Sequence, residues 1–227
     1  MGSNAAEFPV FVLPQDEQAN LTNSEFYDSL TAQFGPDSGA AIYNAHDPSL
    51  LTDLPAGTTA AANAKAATLS ATLSPCPLRH AAKIISGSQT SPVYRFIFDQ
   101  TIMSSIQKLS CKQNKNCAGN PYALGPIHGM ELFFTFQHLE ELYSEVINPG
   151  LAAFGATTSL SPGAAEQGAQ AVFSVAYRTF NRSSVPQGWK NYSETSDIYN
   201  FITKDLSAKA GYEKQTCDAY DKFVYGE

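Results

Sequence analysis

The chain has 227 residues, of which 43% are hydrophobic and 11% aromatic, so it can bury a packed core and is not expected to be mainly disordered. Its formal net charge is −7 and its basic residues are scattered, which argues against a nucleic-acid partner, because such a partner requires a clustered positive face. No run of about 18 apolar residues is present, so no membrane span is expected, and residues 1–6 lack the charged and apolar regions of a signal peptide.

The first half of the chain is predicted to be mainly helical. The segment from Thr22 to Glu25 has the form of a capping box, and apolar residues follow at helical spacing until Gly35, where the helix is expected to end. Further helices are predicted over residues 40–45, 58–73 and 78–85, the second of them rich in alanine and ended by a proline.

The second half contains the best predicted strand, residues 92–99, which is dense in β-branched and aromatic side chains. Helices are predicted over residues 130–136, from an N-cap at Ser161 with Pro162 in its first turn to about residue 180, and over residues 207–223. One or two strands cannot form a stable sheet alone. Residues 1–227 therefore look like a single partial domain that belongs to a larger unit.

The four cysteines permit two disulfides with three possible connectivities. Cys111 and Cys117 flank a short polar stretch that resembles a loop closed by its own bridge, which would leave Cys76 to pair with Cys217. A zinc site is the alternative, although neither pair has the spacing typical of zinc ligands. Disulfides favour a secreted or extracellular protein, and so do three glycosylation sequons. Their asparagines are Asn20, Asn181 and Asn191.

One of the four histidines lies in a sequence typical of a catalytic loop. His128 follows the predicted strand and precedes a helix, and glycines on both sides allow the backbone to turn tightly and present the imidazole. His46, His80 and His138 have no evident chemical partner and are interpreted as surface or packing residues.

Two motifs resemble those of type-B carboxylesterases and cholinesterases. The segment around His128, followed by an aromatic helix, is similar to the histidine loop of that family: Gly125-Pro126-Ile127-His128-Gly129-Met130-Glu131-Leu132. The start of the chain, Gly2-Ser3-Asn4-Ala5-Ala6-Glu7, is similar to the family's Gly-Thr-Asn-x-Asp-Glu-Gly loop. It departs from that loop at Ala6, where the family has Asp, and at Phe8, where it has Gly.

The resemblance extends in order along nearly the whole chain. The Cys-Pro at Cys76, the strand at residues 92–96 and Cys217 match, and the Trp189 segment matches except that Lys190 replaces the family's proline. The position of Cys217 supports a bridge to Cys76. It implies the C-terminal part of an α/β-hydrolase fold, an ester substrate, no cofactor and no metal. Glu7 would be the acid and His128 the base of a catalytic triad, with Glu131 supporting the loop. A solvated helix N-terminus, where acids are favoured, explains Glu131 nearly as well.

The nucleophile of such a triad is missing from the sequence. A serine in the pattern Gly-x-Ser-x-Gly should precede the acid, and no such pentapeptide occurs. The main hypothesis is therefore an esterase fragment that supplies acid and base, is inactive alone and lacks an N-terminal half. The alternative is a non-catalytic binding or adhesion module on the same scaffold, which would not need Glu7 and His128. A helical domain with an accidental histidine loop is the third reading, and the ordered matches argue against it.

Overall fold

A computed structural model of the chain describes residues 2–4, 13–52, 54, 57–100, 131–153, 159–180 and 187–226. Within these ranges four strands form one sheet in the order β1-β2-β3-β4. The strands are β1 (Gly2–Asn4), β2 (Phe96–Phe98), β3 (Ile198–Ile202) and β4 (Leu206–Ala210). The first three are parallel, and β4 returns antiparallel to β3 through a hairpin.

The helices between and after these strands make most of the described structure. They are α1 (Gln15–Asn20), α2 (Asn23–Ala45), α3 (Ala60–Leu73), α4 (Pro75–Ser88), α5 (Glu131–Thr135), α6 (Leu139–Glu141), α7 (Asn148–Ala153), α8 (Ala164–Phe180) and α9 (Lys214–Tyr225). A 3₁₀ turn, Pro48–Leu50, follows α2, and a π-helix, Leu142–Ile147, joins α6 to α7.

Local sequence signals explain the helical ends in the first half. The predicted capping box is confirmed, since the Thr22 hydroxyl accepts a hydrogen bond from the Glu25 N–H while the Glu25 carboxylate accepts one from the Thr22 N–H. The predicted break at Gly35 is also confirmed, because Gly35 has φ 76° and Pro36 then starts a second helical segment. Thr59 caps α3.

The C-terminal prediction was wrong in part. Residues 207–223 were expected to be one helix, whereas β4 occupies Leu206–Ala210 and α9 begins only at Lys214. β3 was not predicted. β2 covers only Phe96–Phe98 of the strand predicted over residues 92–99, and α8 begins two residues later than expected.

Both faces of the sheet are covered. Phe98 of β2 and Ile202 of β3 face a core that includes Phe134 of α5 and Phe173 of α8. On the opposite face Ile97, Tyr199 and Phe201 pack together with Tyr212. The Tyr199 hydroxyl donates to the Pro75 carbonyl at the start of α4, and burial raises the pKa of this phenol, so it remains a donor.

A separate helical core joins α2, α3 and α9 around Phe26, Leu30 and Ile42. Alanines of α3 and α9 allow these helices to approach closely. The domain is thus layered, with helices on both faces of a mostly parallel sheet, as expected for an α/β architecture.

Candidate active site at the carboxyl edge of the sheet

The parallel strands end together at one edge of the sheet. Asn4, the last residue of β1, is in register with Phe98, the last residue of β2, and Phe98 is in register with Ile202 of β3. The Asp99 N–H extends this pairing by donating to the Ile202 carbonyl at 2.8 Å. In open α/β sheets ligands bind outside the carboxyl ends of the strands. This edge is therefore the candidate active site.

In sequence, the predicted acid and base follow two strands that are adjacent in the sheet. Glu7 comes three positions after the end of β1, and His128 comes in the segment that follows β2. Both residues lie outside the described ranges, as do Cys111, Cys117 and Asn181.

Glu131, the predicted supporting residue, is the first residue of α5 and is partly buried. An acidic side chain in the first turn of a helix is favoured by the helix dipole. Its place three positions after His128 fits a supporting role and an ordinary helix start equally.

A carboxylate that sequence reasoning missed lies directly at the edge. Asp99 follows the last residue of β2 and is partly buried. Burial raises the pKa of Asp99, and the charge of Lys209 offsets only part of this effect. The sequence signal was its position immediately after a strong strand.

The predicted long-range disulfide is present. Cys76 of α4 and Cys217 of α9 are bridged, with 4.8 Å between their Cα atoms and 141 positions between them in sequence. The bridge joins α9, which belongs to the helical core, to α4, which packs against the sheet. Asn20 and Asn191, two of the predicted glycosylation sites, are exposed.

The other three histidines are surface or packing residues as predicted, but each has a partner that the sequence did not reveal. His46 Nε2 lies 3.3 Å from the Glu213 carboxylate, and His138 Nδ1 lies 3.4 Å from the Glu141 carboxylate. His80 stacks on the ring of Tyr225. All three contacts are local or structural.

A buried charge network lies at the opposite, amino end of β2. Arg95 is only 1% exposed, and its Nη2 donates to the Asp197 carboxylate at 2.5 Å. The rings of Tyr192 and Tyr199 cover its guanidinium at 4.3 and 3.7 Å.

Arg79 extends this network toward α9. It lies 3.5 Å from Asp197 and donates to Asp218 at 2.6 Å. Burial alone would lower the pKa of Arg79, but the hydrogen bond to Asp218 and the nearby carboxylates outweigh it and raise the pKa. The network holds α4 and α9 against the sheet.

A second buried polar pair fixes the helices that follow the His128 segment. The Tyr143 hydroxyl donates to Glu166 at 2.6 Å, and Glu166 also accepts from the Gly163 N–H at the start of α8. Burial and this carboxylate raise the pKa of Tyr143, so the phenol remains a donor. The pair ties the π-helix to α8.

A groove of about 340 Å³ opens at the amino end of β2 and is lined by apolar and aromatic side chains, among them Ile85, Tyr94, Phe96 and Trp189. It lies away from the carboxyl edge. Within the described ranges no three His, Cys, Asp or Glu side chains form a group that could hold a metal ion. None of the described helices combines the length and apolar character that crossing a bilayer requires.

The same arrangement of strands and helices occurs in solved esterases. A thermophilic PNB esterase superposes with a TM-score of 0.60 at 13% identity, covering 96% of this chain and 37% of that one. Aspergillus niger EstA gives a TM-score of 0.58 at 13% identity, covering 99% of this chain and 39% of that one. The fold is a partial α/β-hydrolase. No protein-family model and no curated protein matches the sequence.

This chain spans little more than a third of the length of the esterases that share its fold. At such low identity the likeness establishes the fold.

Proposed function

We propose that this chain is the acid-and-base portion of a carboxylic ester hydrolase of the serine type. The observation that carries the proposal is the parallel pairing of β1 with β2, because Glu7 and His128 follow these two neighbouring strands in sequence. The fold shared with esterases supports it.

Each residue type has a chemical reason in this mechanism. A serine hydroxyl is a weak nucleophile until an adjacent imidazole takes its proton, and His128 is the proposed base. The imidazole requires a carboxylate on its other nitrogen, which fixes the tautomer and stabilises the imidazolium, and Glu7 is the proposed acid. Glu131 is proposed to support the histidine loop. The order acid before histidine is that of α/β-hydrolases.

The nucleophile and the oxyanion donors are proposed to come from a polypeptide segment outside this chain. No Gly-x-Ser-x-Gly occurs in the sequence, and the esterases that share the fold are more than twice as long. Among the described strands, β1 pairs only with β2, so its second edge can accept another strand. We propose the nucleophile-bearing segment as that neighbour and a small ester as the substrate.

The disulfide and the exposed sequons support export, and we propose an extracellular location. A bridge between Cys111 and Cys117 stays a prediction. The rival function is a non-catalytic binding module on the same scaffold, which the missing nucleophile favours. The experiments below separate the two.

The first experiment asks whether this sequence is part of a working esterase. Source material is treated with a fluorophosphonate probe that labels activated serines and is blotted with an antibody to this chain. We expect the antibody to mark a labelled polypeptide about two to three times as long, as the 37% coverage of PNB esterase implies. An unlabelled species of 227 residues alone would instead support the binding module.

The second experiment tests the residues. In the labelled enzyme, His128→Ala should abolish probe labelling and ester hydrolysis, and Glu7→Gln should reduce both by several orders of magnitude. His138→Ala is the matched control, since His138 is exposed and its ring contacts Glu141, its neighbour in the next turn. Full activity in the His128 variant would eliminate the proposed base. The isolated chain should show no His128-dependent hydrolysis.

A further inference from the structure

Two asparagines of the described chain combine a glycosylation sequon with a side chain that faces solvent. Asn20 precedes Leu21 and Thr22, and Asn191 precedes Tyr192 and Ser193. We propose that both carry N-linked glycans.

Asn191 lies between two anchored aromatic residues. Trp189 and Tyr192 are buried, whereas Lys190 and Asn191 are exposed. The backbone on either side is fixed, because the Tyr192 N–H donates to the Val93 carbonyl at 2.7 Å. The Asn191 carboxamide makes no hydrogen bond within the described part of the chain, so a sugar on its nitrogen displaces no contact there.

A buried residue of the sheet also holds the backbone beside Asn191 in place. The Asn200 amide, fully buried in β3, accepts from the Lys190 N–H and donates to the Lys190 carbonyl, each at 2.8 Å. Lys190 is thus bonded through its backbone, and its neighbour Asn191 is directed outward. A glycan would project from a rigid loop.

Asn20 is the last residue of α1, a helix without a buried residue. Its side chain is exposed and makes no hydrogen bond with the described residues. The folded chain therefore tolerates a sugar at this position as well.

The hydroxyls of both sequons are occupied once the chain has folded. Thr22 caps α2 through Glu25, and the Ser193 hydroxyl lies 2.6 Å from that of Ser196. We therefore expect transfer to occur before the chain folds. The Asn Nδ2 forms a bond to the anomeric carbon of a lipid-pyrophosphate-linked oligosaccharide. The bond from that carbon to the pyrophosphate oxygen breaks, the lipid pyrophosphate leaves, and Nδ2 loses one proton.

The test uses the full chain behind a cleavable secretion leader, translated with endoplasmic-reticulum microsomes. Asn181→Gln removes the third sequon, which lies outside the described residues. We expect two glycans, seen as a mobility shift that peptide-N-glycosidase abolishes. Asn20→Gln and Asn191→Gln should each remove one glycan, and together they should remove both.

Asn44→Gln is the control, because Asn44 is exposed but has no sequon, and it should leave both glycans in place. Ser193→Thr, which retains the sequon, should also keep its glycan. A translocated, protease-protected chain without a glycan on Asn20 or Asn191 overturns the proposal for that site. Loss of a glycan in the Asn44 variant would overturn the assignment of both.

Discussion

Removing the negative charge of Asp197 should strongly destabilise the domain. In Asp197→Asn the side chain keeps its size, and Asn tolerates the left-handed backbone, φ 44°, that Asp197 adopts. The substitution therefore isolates the charge. It leaves Arg95, 1% exposed, without the carboxylate that it contacts at 2.5 Å.

The magnitude follows from burial. Breaking a buried ion pair from one side typically costs about 3–5 kcal/mol, because the remaining charge is uncompensated. The side chains of Arg95 and Asp197 are 1% and 10% exposed, so solvent screens them little. Two Arg95 nitrogens, Nε and Nη1, already have no hydrogen-bond partner in the described part of the chain. In a domain of this size the loss corresponds to a decrease in Tm of about 6–20 °C.

The assay is urea and thermal unfolding of the disulfide-intact protein, followed by circular dichroism. Asp205→Asn is the matched control, because Asp205 is an exposed turn residue with no ion pair among those described, and it should change stability by less than about 0.5 kcal/mol. Adding Arg95→Met to Asp197→Asn should restore much of the loss, since an apolar side chain then fills the space between the two tyrosine rings. Equal stabilities of Asp197→Asn and the control would refute the account.

Three further predictions concern stability and can be read by the same unfolding assay. Gly39→Ala should destabilise the protein by about 1–3 kcal/mol, because its Cβ would lie 2.6 Å from backbone atoms of the preceding helical segment. Gly87→Ala, in open space within α4, should stabilise it by about 0.4–1 kcal/mol. A Gly39→Ala protein more stable than the Gly87→Ala protein would contradict the packing. Thr22→Ala should lower the free energy of unfolding by about 1 kcal/mol because it removes the helix cap. Ser24→Ala, two residues further on, should leave it nearly unchanged. Burial raises the pKa of Asp99, so its ionisation opposes folding at neutral pH. Asp99→Asn should therefore increase stability at pH 7 and have little effect below about pH 4, where the carboxyl becomes protonated in the folded and the unfolded protein. An effect of the same size at both pH values would exclude this cause.

Helix ends were predictable from the sequence where one or two residues determine them. Thr22 and Glu25 specify the start of α2, and Gly35 followed by Pro36 specifies its break, because each acts through hydrogen bonds or backbone angles within a few residues. The disulfide between Cys76 and Cys217 was predicted from the polar stretch between Cys111 and Cys117 and supported by the family resemblance, since the number of cysteines alone leaves three connectivities open.

The local sequence could not predict strands β3 and β4 in the same way. The sequence Ser-Ala-Lys-Ala in β4 has good helix formers, but pairing with β3 overrides that preference. β3 contains Asn200, a residue depleted in strands, and its amide is satisfied only by the backbone of Lys190 and Arg95, distant in sequence. Such long-range partners decide the structure, and no local pattern reports them.

The sheet topology also explains why the proposed acid and base can be so far apart in sequence. After β1 the chain leaves the sheet, forms α1 to α4, and returns through β2 directly beside β1 in the same direction. The helices between them are held by the disulfide and by the Arg79 and Arg95 network, so the separation of the two strands is fixed by the core and not by the sequence distance. Under the proposed function, a rigid sheet allows a carboxylate to orient an imidazole without losing entropy in each catalytic cycle. Under the proposed function, loosening that network should therefore reduce ester hydrolysis as well as stability.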